Sequence, residues 1–454
     1  MFINCCLNKV LSLIQESKSA KFLKDSFIYK NIDNISFVLL ILTIILTTFA
    51  QSDLIGISAI LFCLSNLFKL FVKRDEKIEI SFLNKILIIY FLFVFISLMG
   101  ASYFALSLKG IIKTIIYLSF YFCGVYFLSQ NKRKIIPTLL MIAFVVSVES
   151  IVGILQNFTH VEAIATWQDS SNIDPTKIID RAYGTLKPYN PNLLAGYLIA
   201  GISSIFALGL VSYFKKNKKG LILFSSLFLL TVYAIFTTGS RGGYIGLFAF
   251  FGVIFAFILY YAKLKYGSFK NITTKYKAIF GGVVASIIGF LIISPSFLSR
   301  ILSIFSLRGD SSISFRMNVY EACYRMFLDN IFLGIGVGNK NFREVYGLYM
   351  KTGFDALGAY SVPLEIMVES GIFALISFFA FIILIIIRCI KFVLNKKTRL
   401  LSKIIIFSIL LTICGTMAHG LFDTIFFRPQ VQILFWINIA IFHSLTIKNK
   451  VVVE

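Results

Sequence analysis

The feature that most constrains this chain is its succession of long apolar runs. A helix that crosses a bilayer needs about 20 mostly apolar residues. Runs of that kind fall near 35–50, 54–72, 82–99, 110–129, 135–155, 192–214, 220–237, 243–262, 278–298, 362–387, 402–421 and 430–447. Inside hydrocarbon every backbone N–H and C=O must be satisfied within the protein, and long unalternating apolar runs do so as helices. The expected fold class is therefore an all-α polytopic membrane protein with about 12 transmembrane helices. Composition excludes the soluble alternative, because 58% of the residues are hydrophobic and 14% charged, against about 25% charged in a soluble domain.

The formal charge of +23 would point to nucleic acid in a soluble protein, so its location decides its meaning. Segments between spans fall alternately into two sets. One set, with the first 34 residues, 73–81, 130–134, 215–219, 263–277, 388–403 and the tail, holds 28 Lys and Arg. The other holds 13, although it contains the two longest loops. Lysine and arginine accumulate on the cytoplasmic side of membrane proteins, so both termini are expected there and no nucleic-acid partner is required. The expected organisation is a cytoplasmic segment 1–34, five spans in 35–155, an exterior loop 156–191, a membrane region 192–447 containing the exterior loop 299–361, and a cytoplasmic tail 448–454. The expected location is a bacterial inner (plasma) membrane. Oligomeric state is not legible.

No cofactor or metal is implied. The seven cysteines show neither metal-ligand spacing nor a disulfide framework. Gly334-Ile335-Gly336-Val337-Gly338 does not follow a strand in a βαβ unit, so it is not a dinucleotide fingerprint. Its successive N–H groups are instead expected to make either a tight loop or an anion-binding nest.

Chemistry is expected in the exterior segments. Loop 156–191 carries Trp167, Asp169, Asp174, Asp180 and Arg181, and Arg241 lies in the short link Thr238-Gly239-Ser240-Arg241-Gly242-Gly243. Arg316 opens an amphipathic helix expected over Ser314–Asp329, with Ser314 as N-cap and Phe315, Val319, Ala322 and Met326 on one face; Arg428 precedes Pro429 at the last exterior turn. A guanidinium stays charged and presents a fixed fork of donors suited to phosphate or carboxylate. Four exterior arginines, Arg181, Arg241, Arg316 and Arg428, are thus candidate anion ligands, with lipid headgroup contact or helix capping as the alternative.

Glu365 and Glu369 stand four residues apart on one helical face, and Glu149 lies in the fifth span. Intramembrane carboxylates are candidates for a base, a coupling site or a structural pair. His419 and Asp423 have the same four-residue spacing at the end of the eleventh span, where a shared face would put a carboxylate beside an imidazole. His443 shows no ligand-like neighbour in the sequence.

Several of these segments together resemble the O-antigen ligase/polymerase superfamily of bacterial membrane proteins: Thr238–Gly243, the helix of Phe315-Arg316-Met317, Gly334–Phe342 and the span after it. Ala359–Glu365 and His419–Val431 are similar to the cyanobacterial branch called IctB, named for inorganic carbon (bicarbonate) transport. The resemblance covers roughly 180–435. The superfamily's ligases move a glycan from a polyprenyl-diphosphate carrier to an acceptor on the exterior face, with arginines holding the diphosphate and a loop histidine serving in catalysis. The resemblance implies that Arg241 and Arg316 match the arginines. The histidine position falls on Tyr360, and a phenol of ordinary pKa near 10 is a poor general base. Two functions stay open: transfer of a polyprenyl-diphosphate-linked glycan, or handling of a small anion such as bicarbonate.

Overall fold

A computed structural model describes residues 2–17, 22–73, 81–159, 181–266 and 311–447. All regular structure among them is helical. The helices of eight residues or more are α1 (Phe2–Gln15), α2 (Ile32–Phe49), α3 (Ser52–Val72), α4 (Phe82–Ile96), α5 (Phe104–Gln130), α6 (Ile135–Phe158), α7 (Pro191–Phe214), α8 (Lys218–Thr237), α9 (Arg241–Tyr266), α10 (Ser311–Asp329), α11 (Asn339–Tyr346), α12 (Val362–Leu394), α13 (Leu400–Gly420) and α14 (Pro429–Thr446). Among the described residues ten helices are long and apolar enough to cross a membrane: α2 to α9, α12 and α13. The expected span 278–298, together with Trp167, Asp169, Asp174 and Asp180, lies outside the described residues.

The last expected span forms as α14, but it differs from the ten in carrying Gln430, Gln432, Asn438 and His443. Every residue from Pro429 to Ser444 is buried, and the helix packs against α5, α7, α13, α2 and α3. It is the central post of the bundle, so its polar side chains face protein. His443 is held by Tyr121, whose hydroxyl lies 2.7 Å from Nδ1 and donates to Asn84 Oδ1 at 2.7 Å. The histidine without sequence neighbours thus ties α14 to α5 and α4.

The long loop after α9 builds a second, smaller core. Val319, Ala322, Cys323 and Met326 of α10 pack with Phe342, Val345 and Tyr346 of α11 and with Val368 of α12, which is the apolar face expected of the amphipathic helix. That helix begins at Ser311, so Ser314 lies inside it and not at its cap.

The largest departure from a regular span is in α12. Gly371 has φ +79° and ψ 178°, and breaks the helix. A break leaves carbonyls and an N–H without intrahelical partners. The glycine turn supplies them: Ile335 N–H donates to Val368 O and Gly336 N–H to Glu369 O, each at 3.0 Å, while Ile372 N–H donates to Ile331 O at 2.9 Å. The small core and the membrane helix are therefore sewn together at the kink.

Candidate functional site

The segment that resumes at Arg181 is fastened to the bundle by buried polar groups. Glu149 of α6 accepts the Thr185 N–H at 2.9 Å and the Thr185 hydroxyl. Gln156 accepts the N–H groups of Tyr183 and Gly184 at 3.0 and 2.8 Å. Glu149 is thereby a loop anchor. Held this way, Arg181 lies over the turn between α8 and α9, its Nε donating to Thr238 O at 2.8 Å. Gly239 in that turn has φ +60°, and a Cβ there would lie 3.3 Å from Arg181 Nε.

Ser240 caps α9, its hydroxyl accepting the Gly243 N–H at 3.2 Å, and Arg241 is the first helical residue. Gly242 and Gly243, expected as loop glycines, lie in the first turn of the helix. Their requirement is close packing: a Cβ on Gly242 would lie 2.7 Å from His419 Cδ2, and one on Gly243 would lie 2.8 Å from Ala195 Cβ. The bare backbone lets the Arg241 end of α9 sit directly against α13 and α7.

Asp423 joins two of the arginines. Its Oδ2 accepts from Asn192 Nδ2 at 2.8 Å, and Asn192 Oδ1 in turn accepts from Arg181 Nη2 at 2.8 Å. From the other side Arg316 brings Nη2 to 3.7 Å from the same Oδ2 and donates from Nη1 to Phe422 O at 2.7 Å. Asn192 is the link sequence reasoning missed. Its only signal was the Asn190-Pro191-Asn192 start of a helix, where Asn190 Oδ1 also caps the Asn192 N–H at 2.8 Å.

Tyr360 completes this group. The Arg316 guanidinium carbon lies 5.9 Å from the centroid of its ring, and Phe315 meets the ring edge-on. Tyr320 donates its hydroxyl to Tyr360 O at 3.1 Å. Tyr360 has φ +49°, a left-handed conformation that is costly for an aromatic residue and that concentrates at functional sites. Burial, and secondly the Asp423 carboxylate, push its phenol up to about 12.

The expected His419–Asp423 pair is not formed. α13 ends at Gly420, so the four-residue spacing no longer places both side chains on one face, and Asp423 turns to Asn192 and Arg316. His419 is buried with no partner for either ring nitrogen among the described residues. Its ring is boxed in by the glycine positions of neighbouring helices, lying 3.4 Å from a Cβ at Gly196 and 2.7 Å from one at Gly242.

Glu365 and Glu369 are both buried in α12, each turned to a loop. Glu365 Oε2 accepts the Ala359 N–H at 2.9 Å, beside Tyr360, and Arg428, which precedes α14, acts on the same carboxylate electrostatically. Glu369 Oε1 accepts the Gly338 N–H at 3.0 Å. The nest expectation for Gly334, Gly336 and Gly338 is corrected accordingly. Their N–H groups donate to three separate acceptors, Asn330 O, Glu369 O and Glu369 Oε1, so of the two alternatives the turn is the tight loop.

Arg181, Arg316, Tyr360 and Asp423 thus meet at one end of the bundle, with Arg241 on the turn that Arg181 covers.

Comparison with known proteins gives two matches. The O-antigen ligase family model matches residues 226–379, a stretch that contains Arg241, Arg316, Tyr360 and both glutamates but ends before His419, Asp423 and Arg428. The teichuronic acid biosynthesis protein TuaE of Bacillus subtilis (strain 168) is 22% identical over 367 residues, covering 79% of this chain and 71% of that protein. Both support the O-antigen ligase superfamily and an integral membrane protein. Neither supports the inorganic-carbon branch.

Proposed function

We propose that the protein transfers a glycan from a polyprenyl-diphosphate carrier to an acceptor hydroxyl, at the exterior face of a bacterial plasma membrane. The observation that carries this reading is the joining of Arg181 and Arg316 through Asn192 and Asp423 beside the Arg241 turn. Three guanidinium groups from separate segments suit a diphosphate, whose charge grows as it leaves. In the transfer, the acceptor oxygen bonds to the anomeric carbon. The bond from that carbon to the phosphate oxygen breaks, and the diphosphate departs with the electron pair. Asp423, 3.7 Å from Arg316 and acting electrostatically on Tyr360, takes the acceptor's proton. Tyr360 stays neutral and orients the acceptor or a phosphate oxygen by hydrogen bonding.

Anion transport has no comparable support. Neither match names an inorganic-carbon protein, and the arginine group gathers at one helix end. Buried polar side chains within the bundle include neutral pairs such as Ser203 with Thr412 and Ser150 with Thr231, and the buried carboxyl of Glu149 beside Ser150 is taken up by Thr185.

The test is product formation by the purified protein in liposomes supplied with polyprenyl-diphosphate-linked oligosaccharides and a hydroxyl acceptor. Wild type is expected to turn over, and Arg241→Ala and Arg316→Ala to lose at least about 100-fold. Arg241→Lys is expected to recover little, since a point charge does not replace the fork. Absence of wild-type product across uronic-acid-containing and neutral donors would refute the reading.

A further inference from the structure

At the end of the bundle opposite the candidate site lies a cavity of about 420 Å³, lined among others by Lys24, Lys30, Lys69, Lys73, Asp25 and Asp33. The helix α2 sets the two ends apart. It starts at the cavity with Ile32, and Thr48 near its other end accepts the Thr185 hydroxyl beside Glu149. From the loop charges, the cavity end is the cytoplasmic one.

From these residues we infer a binding site for the phosphate of an anionic lipid headgroup in the cytoplasmic leaflet. Four lysines against two aspartates leave the cavity net positive. Its floor is built, not merely charged. Lys69 is 6% exposed in the last turn of an apolar helix, a placement that marks functional or paired positions in membrane proteins. It donates to Asp33, and Asp33 also accepts from Asn131 Nδ2 at 3.0 Å. Lys73 donates to Gln130 Oε1 at 3.1 Å. Residues of α2, α3 and α5 therefore fix two ammonium groups in place, while the Asp33 carboxylate already has two donors.

The surroundings favour a lipid over a dissolved phosphate. Phe22, Phe27 and Ile28 beside the cavity are 82%, 79% and 57% exposed. The helix α1 exposes Val10 and Leu13 while Gln15 docks it on Leu70 O at 2.9 Å, one residue from Lys69. Exposed apolar side chains flanking basic ones are the composition of a segment lying in the membrane interface. Acyl chains beside Phe22 and Phe27 would leave a headgroup phosphate at the level of the lysines.

The experiment uses the full chain, delipidated in detergent and offered equal phosphatidylglycerol and phosphatidylcholine, with bound lipid counted by native mass spectrometry. Wild type is expected to hold one phosphatidylglycerol with a preference of about tenfold. The variant K24Q/K30Q/K73Q is expected to lose that preference. A charge-matched control, K215Q/K216Q/K218Q on a different basic loop, is expected to keep it. Equal loss in both variants would reduce the effect to general surface charge and overturn the site, as would retention in both. Displacement of the lipid by modest inorganic phosphate would overturn the lipid as occupant. Thermal midpoints report whether the variants fold, and glycan transfer is not part of the readout.

Discussion

Arg316 and Asp423 meet at the end of the bundle where α10 crosses the turn after α13, with 17% and 8% of their side chains exposed. The pair is mostly shielded from water, and Asp423 is also the acceptor for Asn192. Removing one member leaves the other charge poorly solvated. Asp423→Ala is expected to cost about 2 kcal/mol of stability, below the range for fully buried pairs because water still reaches Arg316. Arg316→Ala should cost less, and the double variant should fall short of the sum by about 1 kcal/mol. Denaturant unfolding of the four proteins in one detergent measures the cycle; strict additivity would show that the two side chains do not act on each other.

The break in α12 depends on a single glycine. A Cβ on Gly371 would lie 2.2 Å from Phe332 O, and the residue has φ +79°. Steric overlap with backbone and a left-handed conformation both oppose substitution. Gly371→Ala is expected to destabilise by about 3 kcal/mol and to release the Gly334–Gly338 turn from Glu369. Hydrogen exchange at Ile335 and Gly336 should quicken with it, since their N–H groups are held by Val368 O and Glu369 O.

That kink also shows where sequence reasoning stops. The ten spans were legible because a bilayer demands a length and an apolarity that few other structures need. Gly371 was not, because a glycine in an apolar run has no local signature of a break; the break exists only because the Gly334–Gly338 turn arrives to satisfy it. The tight turn was legible in its glycines, but not the acceptors of its N–H groups, which are Val368 O, Glu369 O and the Glu369 side chain from a distant helix. The arginines stood out by type and place. Their connection through Asn192 and Asp423 joins residues far apart in the chain, and no spacing rule reaches that far. The His419–Asp423 spacing misled for a plain reason: periodicity ends where the helix does, at Gly420.

Tyr360 is proposed as a neutral orienting phenol, and its pH behaviour separates that role from a general base. Its phenol is pushed up to about 12, above the free value near 10. The folded protein therefore binds this proton more tightly than the unfolded chain between about pH 10 and 12, and stability falls as pH rises through that window. Tyr360→Phe is expected to remove this alkaline loss while leaving the difference from wild type constant below about pH 9. A general base contributes about 100- to 10,000-fold, so a neutral orienting phenol predicts a smaller loss of transfer, under about tenfold, with an unchanged pH profile. A loss above 100-fold with a shifted alkaline limb would make Tyr360 the base.

Glycines of α9 offer an internal contrast. Alanine in place of a helical glycine ordinarily stabilises by about 0.5–1 kcal/mol. At Gly252 nothing lies within 4 Å of a Cβ, so Gly252→Ala should show that gain. At Gly242 the same methyl would lie 2.7 Å from His419 Cδ2 and 3.0 Å from Nε2, against a ring that is 1% exposed. Overpacking of a closed core costs about 1–3 kcal/mol, so the sign reverses and Gly242→Ala is expected to destabilise. The added methyl would also push the first turn of α9, and with it Arg241, away from α13, so glycan transfer should fall with stability. His419→Ala opens the space the methyl needs, and in that background Gly242→Ala should be neutral or better. Thermal midpoints of the single and double variants test this directly. An equal loss in both backgrounds would mean that Gly242 is required for its backbone and not for its contact with His419.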